Sequence, residues 1–308
     1  MSEGLDRLLA LLDLETIDRD LYRGSNPGGG GGGRVFGGQV ASQALMAASN
    51  TVEPGLPNKN TRHRVNSLHA YFLRPGRPGK PILYAIDRIR DGSSFTTRRV
   101  VALQDGEAIF NLDASFHKEE PGGEFELPAP LAGVVPPDDL PRPDWGPNAG
   151  THRRPVDTRE LATGPTPTST RAMWIRADGT LPDDPALHAC VLTYMSDSGP
   201  VGAARRPLLR QDEAEPSASG APASSRQPSG KPRAEGAPRR ARPTTWMSAS
   251  LDHTMWFHRP VRADEWLLYD LEAVACSNAR GLARGTMYTQ DGHLVVSVTQ
   301  EALIRPIR

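Results

Sequence analysis

The sequence predicts an α+β protein made of two similar halves, each a single helix followed by an antiparallel meander that wraps it. Three observations lead there. Tyr71-Phe72-Leu73-Arg74-Pro75 aligns with Trp256-Phe257-His258-Arg259-Pro260 at an offset of 185 residues, and the same offset brings Tyr84 onto Tyr269 and Arg99 onto Arg284. With one residue added, Gln104-Asp105-Gly106 falls on Gln290-Asp291-Gly292. The matched regions also share a strand–turn–strand pattern, and one helical candidate precedes each.

The elements follow in chain order. Residues 39–48 read as a helix, with Val40, Ala44, Ala47 and Ala48 at i, i+4, i+7 and i+8. Its small side chains suit close packing inside a curved sheet. Residues 81–90, 98–103 and 108–116 form the first meander, and Asp105-Gly106 is a dipeptide that closes hairpins with positive φ. The second helix opens with Asp184 as N-cap and Pro185 at the first helical position, and carries Leu187, Cys190, Val191 and Tyr194 on one stripe. Residues 266–275, 284–288 and 294–303 form the second meander, with Asp291-Gly292 at its turn. The halves are therefore placed at 1–120 and 166–308, joined by a Pro- and Gly-rich linker over 121–165.

Two segments are too poor in apolar side chains to order themselves by burial. One is the glycine run 28–33, where backbone entropy is greatest. The other is an Ala/Pro/Ser/Gly/Arg/Glu-rich insertion at about 203–243, which contains no aromatic residue and is expected to be disordered.

Composition excludes several classes. Lys plus Arg and Asp plus Glu each number 36, so no global field grips nucleic acid and any anion must meet a local patch. Cys190 and Cys276 are the only cysteines, too few for a disulfide framework or a zinc cluster, and read as reduced, mostly buried thiols. The first residues lack a basic, then apolar, leader, and no run approaches the length of a membrane span. The final residues are Pro306-Ile307-Arg308 and not a Ser-Lys-Leu peroxisomal address, so cytoplasm is the expected location. No GxSxG elbow, phosphate loop or HExxH helix occurs, and neither metal nor cofactor is expected.

Asp197 breaks two rules at once. It follows Cys190 by seven residues, so the stripe that should be buried ends in a carboxylate, and it does so near a helix C-terminus, where the macrodipole disfavours negative charge. Such conflicts gather at functional sites, although an exposed turn at Asp197-Ser198-Gly199-Pro200 also fits. Gln300 shares a strand face with Val296, Val298 and Ala302, where a buried amide needs partners. Ser250 reads locally as a serine on the polar face of a strand that includes Ser248, Asp252 and Thr254. Gly37 and Gly38 stand where the first helix begins, so backbone N–H groups there could meet developing negative charge, with Gly38 as the candidate donor, or the glycines could simply permit close packing. His69 and His253, without a second histidine at ligand spacing, read as structural.

These residues together resemble the bacterial acyl-CoA thioesterase II family, which includes the mammalian peroxisomal acyl-CoA thioesterases. The resemblance rests on Arg34-Val35-Phe36-Gly37-Gly38-Gln39-Val40, His69-Ala70-Tyr71-Phe72-Leu73-Arg74-Pro75-Gly76 and Arg90-Asp91-Gly92-Ser93-Ser94-Phe95 in the first half. In the second half it rests on Asp252-His253-Thr254-Met255-Trp256-Phe257-His258-Arg259-Pro260, Glu265-Trp266-Leu267-Leu268-Tyr269 and Tyr288-Thr289-Gln290-Asp291-Gly292. It implies a double hotdog fold and hydrolysis of fatty acyl-CoA through an Asp, Thr and Gln that hold a nucleophilic water. Those roles fall on Asp197, Ser250 and Gln300; serine keeps the hydroxyl of the family threonine but not its β-branch. CoA phosphates would need arginines that the sequence alone does not single out. Exposed sheet edges favour a homodimer or homotetramer. The rival readings are a hotdog hydratase or dehydratase, which would want a His–Asp pair, and a non-catalytic acyl-CoA-binding protein.

Overall fold

A computed structural model describes residues 2–27, 33–52, 63–140, 151–156, 169–214 and 245–307. The glycine run at 28–32 and the later part of the expected insertion, 215–244, lie outside them. The first half contains α1 (Glu3–Leu12), β1 (Glu15–Asp18), β2 (Leu21–Gly24), α2 (Gly37–Ser49), β3 (His63–Phe72), β4 (Ile82–Asp91), β5 (Phe95–Gln104) and β6 (Glu107–Lys118). The second contains β7 (Thr151–Val156), β8 (Ser169–Ala177), α3 (Pro185–Ser196), α4 (Pro200–Ala214), β9 (Thr245–Ser250), β10 (Asp252–Phe257), β11 (Leu267–Ser277), β12 (Arg280–Thr289) and β13 (Leu294–Ile307).

The strands form one antiparallel sheet in the order β1-β2-β4-β5-β6-β3-β10-β13-β12-β11-β8-β7, with β9 also paired to β13. Each half follows the predicted helix-then-meander plan, and the architecture is the expected α+β double hotdog. The halves join through β3 and β10, where His69 pairs with Thr254. Those two positions are themselves related by the offset of 185, so the internal symmetry axis runs between them. Both β3 and its counterpart β9–β10 carry a bulge at matching places. The β3–β6 register shifts between Val65 and Ser67, and β13 pairs Ala302 with Ser250 but Thr299 with Thr254, which leaves Leu251 as the extra residue. A bulge reverses which side chains face inward.

The concave side holds the helices. Every turn of α2 buries Gly38, Ala41, Ala44, Leu45, Ala47 or Ala48, and α3 is buried from His188 to Ser196. A helix buried all round must touch neighbours on every side, and alanine and glycine let α2 and α3 approach each other closely. The two conserved partners of the repeat, Tyr84 and Tyr269, tie the sheet to these helices: Tyr84 Oη donates to Gln43 Oε1 (2.7 Å), and Tyr269 Oη donates to the Ser196 carbonyl (2.9 Å). Gln43 Nε2 in turn donates to the Leu11 and Ser25 carbonyls, so α2 is linked to α1 and to the chain after β2.

Four expectations change. The insertion does not begin at 203: α4 is a helix through Ala214, with Ala203 and Ala204 buried against the second sheet. Its short apolar stripe of Val201, Ala204 and Leu208 was diluted by averaging over the polar residues that follow. The 121–165 linker is not a bare connection, since β7 adds an outer strand to β8, and Ala129, Leu131, Val134 and Leu140 pack on Trp174, Trp266, Leu268 and Tyr288. Sequence periodicity treated 246–256 as one strand with Ser250, Asp252 and Thr254 on a common face; the bulge at Leu251 instead puts Ser250 on the side of His253 and Met255. Of the thiols, Cys190 is buried and pushed up by that burial, whereas Cys276 is exposed. No helix among the described residues is long and apolar enough to cross a membrane.

Tyr84→Phe would leave Gln43 Oε1 buried without its donor. Urea titration should show a loss of about 1–3 kcal/mol of unfolding free energy with an unchanged m-value.

Candidate active site

The site is assembled where α2 begins and α3 ends. Phe36 caps α2 without any side-chain hydrogen bond, and the first turn carries no acidic residue. Its early N–H groups need an acceptor from elsewhere. α3 ends at Asp197, whose backbone is still helical (φ −72°, ψ −5°). The chain then breaks at Gly199, where a Cβ would sit 2.6 Å from Leu271 Cδ1, before α4 resumes. The break exposes the Asp197 carboxylate to the open end of α2.

Asp197 Oδ2 accepts from the Gly38 N–H at 2.8 Å, and Oδ1 accepts from Gln300 Nε2 at 3.0 Å and from Ser250 Oγ at 3.3 Å. Gln300 Nε2 also donates to Ser250 Oγ at 2.7 Å. All four residues singled out in the sequence therefore meet at one point. The role of Gly38 differs from the expected oxyanion donor, because its single amide hydrogen is engaged by the carboxylate. Among the described residues, the N–H of Gly37 beside it has no partner. Close approach explains both glycines: a Cβ on Gly37 would lie 2.7 Å from Asp197 Oδ2, and one on Gly38 would lie 2.5 Å from the Tyr194 carbonyl.

Burial dominates the electrostatics. Asp197 is 9% exposed, and desolvation raises its carboxyl above the usual carboxylate range. The bonds from Gln300, Gly38 and Ser250 oppose that rise only in part. Asp197 thus stays a stronger base than an exposed aspartate.

His253 is the residue that sequence reasoning passed over. It is fully buried; its Nδ1 lies 2.6 Å from Gln300 Oε1 and its Nε2 lies 2.7 Å from Ser196 Oγ. Desolvation holds the imidazole below its ordinary pKa, so it is neutral. An ionised carboxylate can only accept, so Gln300 must turn its NH₂ toward Asp197 and its carbonyl toward His253. Nδ1 then carries the hydrogen, and Nε2 accepts from Ser196. The sequence offers His253 only as a structural histidine, standing within the Asp252-His253-Thr254-Met255-Trp256 run. Among the described residues, no three His, Cys, Asp or Glu side chains gather at metal-ligand spacing.

Comparison with known proteins identifies the family of the chain. Residues 26–117 match the family model described as the acyl-CoA thioesterase N-terminal domain, and 128–304 match the model described as the C-terminal domain. The chain is 34% identical to acyl-coenzyme A thioesterase 8 of Mus musculus, over 96% of this chain and 88% of that protein. It is 30% identical to acyl-CoA thioesterase 2 of Haemophilus influenzae, over 99% of each. The crystal structure of acyl-CoA thioesterase II TesB2 from Mycobacterium marinum superposes with a TM-score of 0.76 at 38% identity, covering 97% of this chain and 98% of that one. With both domains matched in order and relatives aligned along nearly its whole length, the chain belongs to the acyl-CoA thioesterase family.

Proposed function

We propose that this protein hydrolyses fatty acyl-CoA to free fatty acid and CoA, with Asp197 as the general base for a water that Ser250 and Gln300 help to hold. The observation that carries the reading is a buried carboxylate bonded at once by an amide, a hydroxyl and a helix N-terminus. Three of the roughly four lone-pair directions of a carboxylate are then occupied. The remaining one, together with the free lone pair of Ser250 Oγ, receives the two hydrogens of the water. The water oxygen keeps its own lone pairs for attack on the thioester carbon. Gln300 fixes both receivers and so sets the approach.

As the oxygen–carbon bond forms, one water proton passes to Asp197 and the carbonyl becomes an oxyanion. The N–H of Gly37, left uncommitted at the positive end of α2, is the donor assigned to that oxyanion in place of Gly38. Collapse breaks the carbon–sulfur bond, and the CoA thiolate leaves and takes up the proton. A thiolate is a good leaving group, so no strong general acid is required. The hydratase reading wants a histidine facing the substrate, but both ring nitrogens of His253 are committed to Gln300 and Ser196. Association into a homodimer or homotetramer belongs to the same proposal, since among the described residues β1 and β7 end the sheet order with an open edge each.

Asp197→Asn should lower acyl-CoA hydrolysis, followed as free thiol, by about 10²–10⁴; turnover near that of the parent protein would refute the assignment. The pH dependence follows from the raised carboxyl. The ionised form is active, so kcat/KM should fall as pH drops through a value above the usual aspartate range. The linked stability runs the other way: it is full below the unfolded-state value and lost as pH rises through the folded one. Asp197→Asn should abolish the acid limb. His253→Phe would strand Gln300 Oε1 and free the amide to rotate. It should reduce kcat roughly ten- to hundredfold with little change in KM, and lower stability by about 1–3 kcal/mol in thermal unfolding. A large KM effect with kcat preserved would contradict the positioning role.

A further inference from the structure

The second half holds a group of cations that no described carboxylate answers. Arg153 on β7 stands opposite Ile175 on β8, so its side chain shares the helix-facing side of that strand with Ile175, Met173 and Arg171. Ile175 and Met173 belong to the main core, which fixes that side as the inner one. The guanidinium of Arg171 reaches over the first turn of α4, where a Cβ on Gly202 would lie 2.7 Å from its Nη1. Arg206 follows Gly202 by one helical turn on the same face. Arg171 is repelled by Arg206, and Arg153 by Arg171. Arg153 Nε is buried and, among the described residues, has no hydrogen-bond partner; none of the three forms an ion pair there.

Clustered guanidiniums remain charged, so their repulsion and partial burial favour binding of an anion. The position of the cluster says which end of a ligand it serves. Met173, two residues along β8 from Arg171, stands opposite Tyr269, whose hydroxyl donates to the Ser196 carbonyl beside Asp197. The cations and the carboxylate are therefore linked through Tyr269 without touching. Asp197 attends to the thioester, and an acyl chain carries no charge. What remains is the nucleotide end, with its phosphates.

We propose that Arg153, Arg171 and Arg206 form the binding site for the phosphate groups of the CoA ester, an inference that rests on acyl-CoA being the substrate. Planar guanidinium forks match phosphate oxygens. Binding energy gathered there, away from the reacting bond, holds the thioester over Asp197.

The test compares thiol release from an acyl-CoA with that from the same acyl group on uncharged pantetheine, in the parent protein, Arg171→Gln and Arg206→Gln. Arg206 is exposed, so its exchange leaves the core intact. KM for the CoA ester should rise roughly tenfold or more in each variant, and the preference for CoA over pantetheine should shrink by a similar factor. An acyl-dephospho-CoA arm assigns the contact: if the variants no longer differ from the parent, the 3′-phosphate is the ligand, and if they still do, it is the pyrophosphate. An unchanged CoA-to-pantetheine preference overturns the inference. So does an equal loss on both esters, which would mark a structural role. If the parent protein hydrolyses neither ester, the proposed function falls. Calorimetric binding of CoA to the parent protein and to Arg206→Gln then decides the phosphate site alone, with equal affinities, or inorganic phosphate bound as tightly as CoA, counting against it.

Discussion

The hydrogen bond from the Gly38 N–H to Asp197 Oδ2 joins the two halves at the candidate site. Taken separately, each partner is a defect. α2 opens with no side-chain cap, and α3 ends on a negative charge at the unfavourable end of its dipole. Set end against end, the carboxylate caps the foreign helix and the helix stabilises the carboxylate. This solution dictates its surroundings: glycine at 37 and 38, where a Cβ would strike Asp197 or the Tyr194 carbonyl, and a chain break at Gly199 that frees α3 from continuing into α4. It also explains why a carboxylate raised by burial persists in a folded protein. Removing the charge would remove a cap that α2 cannot replace from its own sequence.

Duplication supplied the scaffold, but the halves have diverged in polarity. The pairing registers make Ala114 the counterpart of Gln300, Val65 that of Ser250 and Leu68 that of His253. The C-cap of α2 is the neutral Asn50, where α3 has Asp197. The reverse exchange occurs at Arg98, whose counterpart is Ala283. Arg98 is almost wholly buried, donates from Nη2 to the Thr51 carbonyl and from Nε to Thr51 Oγ1, and pairs with Asp91. A guanidinium there satisfies the Thr51 carbonyl just past the end of α2 and fills the ground that the second half leaves to its polar cluster. One half ties this position into the scaffold; the other carries the polar cluster of the candidate site.

What could be read from the chain divides along physical lines. Strand and turn patterns are local, so both meanders and the offset between halves were legible, and Asp197 and Gln300 stood out because each breaks a local rule. Ser250 was placed on the wrong face, because an extra residue at Leu251 inverts the alternation and period-2 reasoning has no local sign of a bulge. α4 escaped notice because composition was averaged over a stretch whose first dozen residues alone carry an apolar stripe. His253 could not be recognised at all: its importance lies in which two groups its ring nitrogens meet, and these come from strands and helices far apart in sequence. Gly38 was rightly seen as an anion-facing N–H, but the anion is the protein's own.

The orientation of Gln300 follows from a chain of single-hydrogen choices that begins at Asp197. An ionised carboxylate accepts only, so it fixes the NH₂ end of the amide toward itself. The amide oxygen is thereby fixed toward Nδ1 of His253, which must hold the hydrogen, and Nε2 must accept from Ser196 Oγ. The opposite tautomer would present a lone pair to the amide oxygen at 2.6 Å. Turning the amide to relieve that clash would set its oxygen against the carboxylate. Ser196 has a second acceptor in the Thr193 carbonyl at 2.9 Å, but neither the amide nor the imidazole can reverse alone, and both are buried enough that an unmade bond is not replaced by bulk water. The charge on Asp197 therefore holds the amide beside it in register, so the group proposed as the base also sets the geometry around it.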